Sequence, residues 1–398
     1  MSKGKNSFIT FTILSLSLVT MSYTVASVII SDLAKAFPAL SKLTLDVYSS
    51  MPNVMIVLFA LLFAFLAKRI SKKSIAIAGS LLFLLGGVAP AIFPYVSVLM
   101  ISRAVLGAGL GLLTPLTTSL VSDFFSGDKR ARLMGYTSAF ANIGTLFISY
   151  LAGIWCVISW QNTFWVYAIL GVPIVISSIF FMPKYTAFVS KDTVAAENKK
   201  HAFNRNLIKP VVHVSLFMGL MYSYIVNISL LITEKNMGNS ELAGILLMML
   251  SIAGLAGGFI FSKVRKIAGK YQYSINYFLC GISMLASALT KNTIIMIAGS
   301  VLIGIGIAIA IPSSLVEISR TCNTSETQTG MGIMVASYNI AMFVIPVILS
   351  YILSLFSIIK AEQIMLVSAG LLLGCMMISF FLAKREKNIA TSSETALL

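Results

Sequence analysis

The sequence predicts an all-α membrane protein of about twelve transmembrane helices, set as two pseudo-symmetric six-helix bundles around a central cavity. Three observations predict it. Apolar runs near the ~20 residues that cross a ~30 Å hydrocarbon core recur about every 33 residues. Only 11% of the 398 residues are charged while 58% are hydrophobic, so the apolar surface has to meet lipid rather than water. The second half of the chain repeats the first at a constant offset.

The runs are taken in order. The first, 8–31, follows Lys3 and Lys5 as a signal peptide would, but it is too long for such a segment and further spans follow it. Spans two to six are expected at 46–67, 74–95, 97–123, 131–156 and 161–182. Spans seven to twelve are expected at 208–232, 241–262, 272–290, 293–317, 328–357 and 362–383. Residues 272–290 are polar at their start, and 328–357 is long enough to tilt or to bend at Pro346. Residues 183–207 break the rhythm, being rich in charge and poor in large aliphatics. They read as a linker, so the expected organisation is an N-terminal bundle over 1–182, a linker over 183–207 and a C-terminal bundle over 208–398.

Charge gives the orientation. With the N-terminus inside, the cytoplasmic loops and tails hold 23 Lys/Arg and 8 Asp/Glu, whereas the opposite loops hold five of each. That is the positive-inside bias of a multi-pass protein of the plasma (inner) membrane with both termini cytoplasmic. The net charge of +16 is thereby explained as a topology signal, and nucleic acid is not an expected partner. Four scattered cysteines and two histidines offer neither a disulfide framework nor a metal centre, and no cofactor is expected. The glycines of 107–111 superficially resemble a nucleotide loop, yet they lie inside a span and no Lys-Ser/Thr follows. We expect no enzyme activity.

A shift of 197 residues places Gly107, Gly109 and Pro115 on Gly304, Gly306 and Pro312, and Met134, Gly135, Ala139, Asn142 and Ile143 on Met331, Gly332, Ala336, Asn339 and Ile340. Repeats of this size characterise transporters that rock one repeat against the other. Spans one and seven are rich in Ser, Thr, Tyr and Asn, while spans three, six and twelve are not. Polar side chains face protein or a wet cavity rather than lipid, which puts one and seven at the centre and three, six and twelve outside. The cavity candidates are Tyr23, Asn53, Arg103, Asn142, Tyr224, Asn227 and Asn339. Tyr224 and Asn227, three residues apart, are expected to share the cavity face.

Arg103 is the one charge placed well inside a span. Its roles stay open between snorkelling to the surface, pairing with Asp32 or Asp46, and attracting an anionic group on cargo. Asp32, Asp46 and Arg103 are the proton-coupling candidates, because motion that separates an acid from a guanidinium changes its proton affinity.

Several motifs resemble those of the major facilitator superfamily. The loop AFLAKRISKK (64–73) fits its G-x-L-a-D-R-x-G-R-R/K signature at Leu66, Arg69, Lys72 and Lys73, with Ala64, Lys68 and Ser71 replacing a glycine, the aspartate and a glycine. SRAVLGAGLG (102–111) resembles the R-x-x-x-G-x-G motif of the proton-driven drug exporters, and GDKRARLMG (127–135) resembles their four–five loop. Gly135, Gly144 and Gly153 keep a nine-residue rhythm in span five, though the exporters' Gly-Pro pair is absent. The resemblance implies that spans one, four, seven and ten lie nearest the centre and that Arg69, Lys72 and Lys73 belong to a conformational gate loop. It further implies a secondary active transporter working by alternating access, with proton-coupled efflux of drugs or small metabolites as the leading expectation. The alternatives are a proton-coupled importer or facilitator of a small anionic solute and a non-transporting receptor. The expected partners are the lipid bilayer, a small-molecule substrate and the proton, and the expected state is a monomer.

Overall fold

The computed structural model describes residues 3–183, 207–321 and 324–395, and every regular element among them is a helix. The linker expected at 183–207 falls on 184–206, outside the described residues. Eleven segments are long and apolar enough to cross a membrane, from Phe8–Val28 to Ala361–Arg385. The twelfth span is the helix Gln272–Leu289, whose polar start lowers its hydropathy.

Span one corrects the expectation of a continuous helix. It runs as Lys3–Ser17, a 3-10 turn at Ser22–Thr24, and two short pieces, Val25–Val28 and Ile30–Ala36. The cause is local. Thr20, Ser22 and Thr24 donate to the carbonyls of Ser17, Val19 and Met21 at 2.9, 2.7 and 3.2 Å. These three-residue back-bonds compete with the i→i−4 ladder and break the helix.

The other spans begin and end on recognisable signals. Ser41 accepts from the Thr44 amide and opens span two, Lys42–Leu66; Ser71 accepts from the Ser74 amide and opens span three, Lys72–Ile92. Span four is Val96–Phe124, span five Gly127–Ile158 and span six Asn162–Phe180. Span seven, Ile208–Glu234, is tied off by its last residues: Glu234 accepts from the Ala361 amide at 2.9 Å, and Lys235 donates to the Thr290 carbonyl at 3.1 Å. Span eight, Ser240–Ala268, is capped by Asn239 and ends at Gly269, whose φ of +53° suits glycine. Spans ten, eleven and twelve are Thr293–Thr321, Thr324–Leu355 and Ala361–Thr395.

The repeat seen in the sequence is a repeat of packing. A Cβ on Gly107 would meet the backbone of Pro52 in span two, and one on Gly304 would meet Leu250, Ala253 and Gly254 in span eight. Gly109 lies against Gly79 and Phe83 of span three, and Gly306 lies against Asn276 and Cys280 of span nine. The 197-residue shift carries Gly79 and Phe83 onto Asn276 and Cys280, while it carries Pro52 onto Met249, one residue before Leu250; spans four and ten are thus seated by closely similar small-residue contacts.

Burial ranks the helices only in part as expected. Span seven is 83% buried, span four 61% and span twelve 28%, but span ten, at 44%, is no more buried than spans three and six.

The halves are joined at the end bearing the charge-neutral loops. There Ser31 and Ser229 share a hydrogen bond of 2.8 Å and Ser229 donates to the Val28 carbonyl at 2.8 Å, joining spans one and seven. Along spans five and eight, a Cβ on Gly244 would lie 2.7 Å from the Ser149 carbonyl, and one on Gly153 would lie 3.2 Å from Gly244. Gly135, eighteen residues or five full turns below Gly153 on the same face, meets nothing, and neither does Gly258 on span eight. The pair is therefore in contact from Gly153 and Gly244 at the neutral-loop face down to Asn142 and Gly254, with open space beside Gly135 and Gly258 beyond. Gly144 is offset from Gly135 and Gly153 by two and a half turns and packs instead on Leu18 of span one, so the nine-residue rhythm serves more than one helix contact.

Candidate functional site

The site is built around the seam between the halves. Arg103, on span four, has no exposed surface. Its Nη1 donates to the Tyr167 hydroxyl at 2.9 Å, and Tyr167 donates onward to the Ser22 carbonyl at 3.3 Å, within the broken part of span one. The rings of Tyr48, Phe164 and Tyr167 surround the guanidinium, with centroids 4.9, 5.3 and 5.6 Å from Cζ. Its Nε and Nη2 have no hydrogen-bond partner. Aromatic faces compensate a buried cation in part. Two unpaired donors beside a buried positive charge leave an electrostatic deficit that an anion or water would relieve.

Of the roles left open for Arg103, pairing with Asp32 or Asp46 is not seen among the described residues. Asp46 is fully buried, but it accepts from Lys42 on its own helix and from Ser350 of span eleven. The lysine four residues away satisfies it more cheaply than an arginine on another span. Asp32 accepts from Ser240 of span eight and, at 3.3 Å each, from Ser31 and from Cys156 of span five. Each of these carboxylates thus receives a hydroxyl from the opposite half.

Below this seam, Tyr222 of span seven donates to the Ser49 carbonyl at 3.3 Å, beside Asn53, and its ring lies 6.4 Å from that of Tyr23. Tyr23, Asn53 and Tyr222 therefore meet where the bundles meet. The expectation that Tyr224 and Asn227 share this face is corrected. Tyr224 is bonded to Ser300 of span ten at 2.6 Å, inside the second bundle. Asn227 donates to the Ser223 carbonyl of its own helix at 2.8 Å. Two residues turn a helix by ~200°, so Tyr222 and Tyr224 must face opposite ways. Tyr222, which the sequence did not single out, is the one turned toward the first bundle. Tyr48 and Tyr167, also missed, carry no signal other than being aromatic near the same end of the bundle.

Asn142 and Asn339 each donate to the carbonyl four residues back, Ser138 and Val335, at 3.0 and 2.8 Å. A Cβ on Gly254 would lie 3.2 Å from the Asn142 oxygen, which puts that side chain at the packing of spans five and eight. In the loop between spans two and three, Lys72 is buried and pairs with Asp123 and Ser119 at the end of span four, while Arg69 lies 4.2 Å over the Phe65 ring. Lys73, the next residue along, is half-buried. No group of three or more His, Cys, Asp or Glu among the described residues could hold a metal ion.

The profile of the Major Facilitator Superfamily matches residues 12–294 and 270–397. The chain belongs to the Major Facilitator Superfamily. Among superfamily relatives, the multidrug resistance protein MdtL of Shigella flexneri is 24% identical over 67% of this chain and 73% of its own length. A proposed niacin/nicotinamide transporter of Bacillus subtilis, NiaP, is 30% identical over 42% of each chain. The quinolone resistance protein NorA of Staphylococcus aureus is 32% identical over 29% of each. The chain thus spans less than half the length of NiaP and NorA in these matches. A crystal structure of a D-xylose-proton symporter shares the fold with a TM-score of 0.72, at 16% identity, over 93% of this chain and 96% of that one. The protein is accordingly a multi-pass membrane transporter of this class.

Proposed function

We propose that the protein is a proton-coupled secondary transporter that exports drugs or small metabolites by alternating access. The observation that carries the coupling is the seam. Asp32 and Asp46 are both held by hydroxyls from the other half, Ser240 and Ser350. A carboxylate accepts such bonds; once protonated it loses charge-assisted acceptance and weakens the contact. Proton uptake at either acid would therefore loosen the closed face. Tyr23, Asn53 and Tyr222 form the cargo contacts beneath it. The basic-loop face is cytoplasmic in this reading, so the packed seam faces outward and the state is open to the cytoplasm. The similarity to MdtL and NorA, named for drug resistance, supports export. Arg69, Lys72 and Lys73 serve as the gate loop, with the Lys72–Asp123 pair fixing it to span four.

One observation favours a second reading. The unpaired donors of Arg103 suit a carboxylate, and NiaP is named for niacin, which would make the cargo a small anionic solute moving inward or down its gradient.

Transport in proteoliposomes under an imposed pH gradient separates these readings. Export predicts uptake of lipophilic cations into inverted vesicles with the lumen acid. The second reading predicts instead uptake of weak aromatic acids into right-side-out vesicles with the medium acid. A flux that ignores the pH gradient for every compound would end the proton-coupling proposal. A cysteine replacing Lys191 should be labelled only after permeabilisation; labelling in intact cells would reverse the orientation.

A further inference from the structure

The second bundle holds a polar cluster that takes no part in the seam. Near the basic-loop end of spans seven, nine and ten, the His213 ring is stacked on Tyr273, with centroids 3.7 Å apart, and meets Tyr277 edge-on at 4.8 Å. Tyr277 donates to the His213 carbonyl at 3.1 Å, which fixes the helices around the imidazole. The Tyr273 hydroxyl donates to Glu317, and Lys209, one turn before His213, pairs with Glu317 at 3.7 Å.

Exposure falls inward along this series. The side chains of Lys209 and Glu317 are 50% and 23% exposed, His213 is 5% and Asn276 is 0%. Both ring nitrogens of His213, both amide atoms of Asn276 and the Ser313 hydroxyl are buried without a hydrogen-bond partner. So many unpaired polar groups are not left dry in a folded interior; ordered water completes them.

The first bundle lacks this cluster. The 197-residue shift, which the glycine contacts of spans three, four, nine and ten obey, places Tyr273, Asn276, Ser313 and Glu317 on Ala76, Gly79, Leu116 and Leu120. Those positions are a dry apolar contact, with Leu116 and Leu120 at 0% and 1% exposure. The repeat's architecture therefore does not require polar groups here, and their presence on one side only calls for a separate role.

We propose that this cluster is a hydrated proton-binding site, entered from the basic-loop face past Lys209 and Glu317, with His213 as the acceptor. In the step, hydronium at the mouth transfers its proton along the water to the lone pair of an imidazole nitrogen. One N–H bond forms, and water is left behind. The imidazolium is held by the face of Tyr273, whose hydroxyl donates to Glu317. Among the described residues, the charged and titratable groups around it are Lys209 on its own span, Tyr273 and Tyr277 on span nine, Glu317 on span ten and, beside Tyr277, Cys375 on span twelve. The site is independent of the direction of transport and of the seam acids.

Two measurements on the full chain in nanodiscs test it. The chain has two histidines, so His201→Gln leaves His213 as the sole imidazole for ¹⁵N NMR. We expect its ring signals to titrate with a single midpoint as the pH is lowered. Glu317→Gln should lower that midpoint, since it removes an opposite charge, and Lys209→Gln should raise it. Ring signals that do not move down to pH 4.5 would overturn the proposal. In a cysteine-free background, Ser313→Cys should react with a small charged thiosulfonate, while Leu116→Cys, its counterpart in the dry bundle, should not. An inert Ser313→Cys, or equal reaction at both positions, would show that no water-filled inlet exists.

Discussion

Arg103 is fastened to Tyr167 by a hydrogen bond of 2.9 Å, and through that phenol to the Ser22 carbonyl in the break of span one. The guanidinium thus reports on the geometry of the helix that also carries Tyr23 and Asp32. A cation so placed is positioned by aromatic faces and one hydroxyl rather than by a carboxylate.

Arg103→Lys should be poorly tolerated. Lysine keeps the charge but lacks the planar fork that lies among Tyr48, Phe164 and Tyr167. We expect transport to fall at least ~10-fold, equivalent to ~1.4 kcal/mol in a rate or affinity. Tyr167→Phe, which removes only the bridge to Ser22, should lose less, on the order of 1 kcal/mol. Wild-type transport in Arg103→Lys between pH 6 and 8 would remove Arg103 from the mechanism.

Asp46→Asn tests the seam. The substitution keeps the shape but not the charge that accepts from Lys42 and Ser350. If proton uptake at this acid drives opening, the wild type should show a pH-dependent opening of the neutral-loop face that the variant lacks. Spin-label distances across spans two and eleven would report it. A pH response equal to the wild type would move the coupling to Asp32 or elsewhere.

Tyr222→Phe and Tyr224→Phe should separate. The first removes a hydroxyl at the bundle interface and should change substrate affinity. The second removes the buried bond to Ser300 and should cost about 1 kcal/mol of stability with affinity unchanged. Thermal unfolding and equilibrium binding, measured on both, would show whether the assignments are reversed.

Gly244→Val should abolish turnover, because its side chain would press on the Ser149 carbonyl and hold spans five and eight apart at the neutral-loop face. Gly135→Ala, facing open space, should express and transport normally, within about 0.5 kcal/mol in stability. Loss of activity in Gly135→Ala would mean that the basic-loop ends of these spans close tightly at another stage of the cycle.

What the sequence by itself determined is whatever depends on solvent and period. Run length against bilayer thickness set the number of spans, and the shift of 197 residues established the repeat down to Gly107 and Gly304. These follow because lipid imposes one element type and one length on each crossing. Tertiary structure alone decided which way each polar side chain turns. Tyr222 and Tyr224 are equally polar in the sequence, and only the packing of span seven against Ser49 and Ser300 sends them to opposite sides. The fate of Asp46 was likewise hidden, because Lys42 is its neighbour in sequence while Ser350 is 304 residues away. Arg103 showed itself as a charge inside a span, but its partners are aromatic, and aromatic residues in a membrane helix give no sign of which one stacks on a cation. The break in span one was written in its Ser and Thr residues. It became legible only once their hydroxyls were seen bonded to carbonyls three residues back, whereas Thr12, Ser15 and Ser17 of the same span bond four residues back and leave the helix intact.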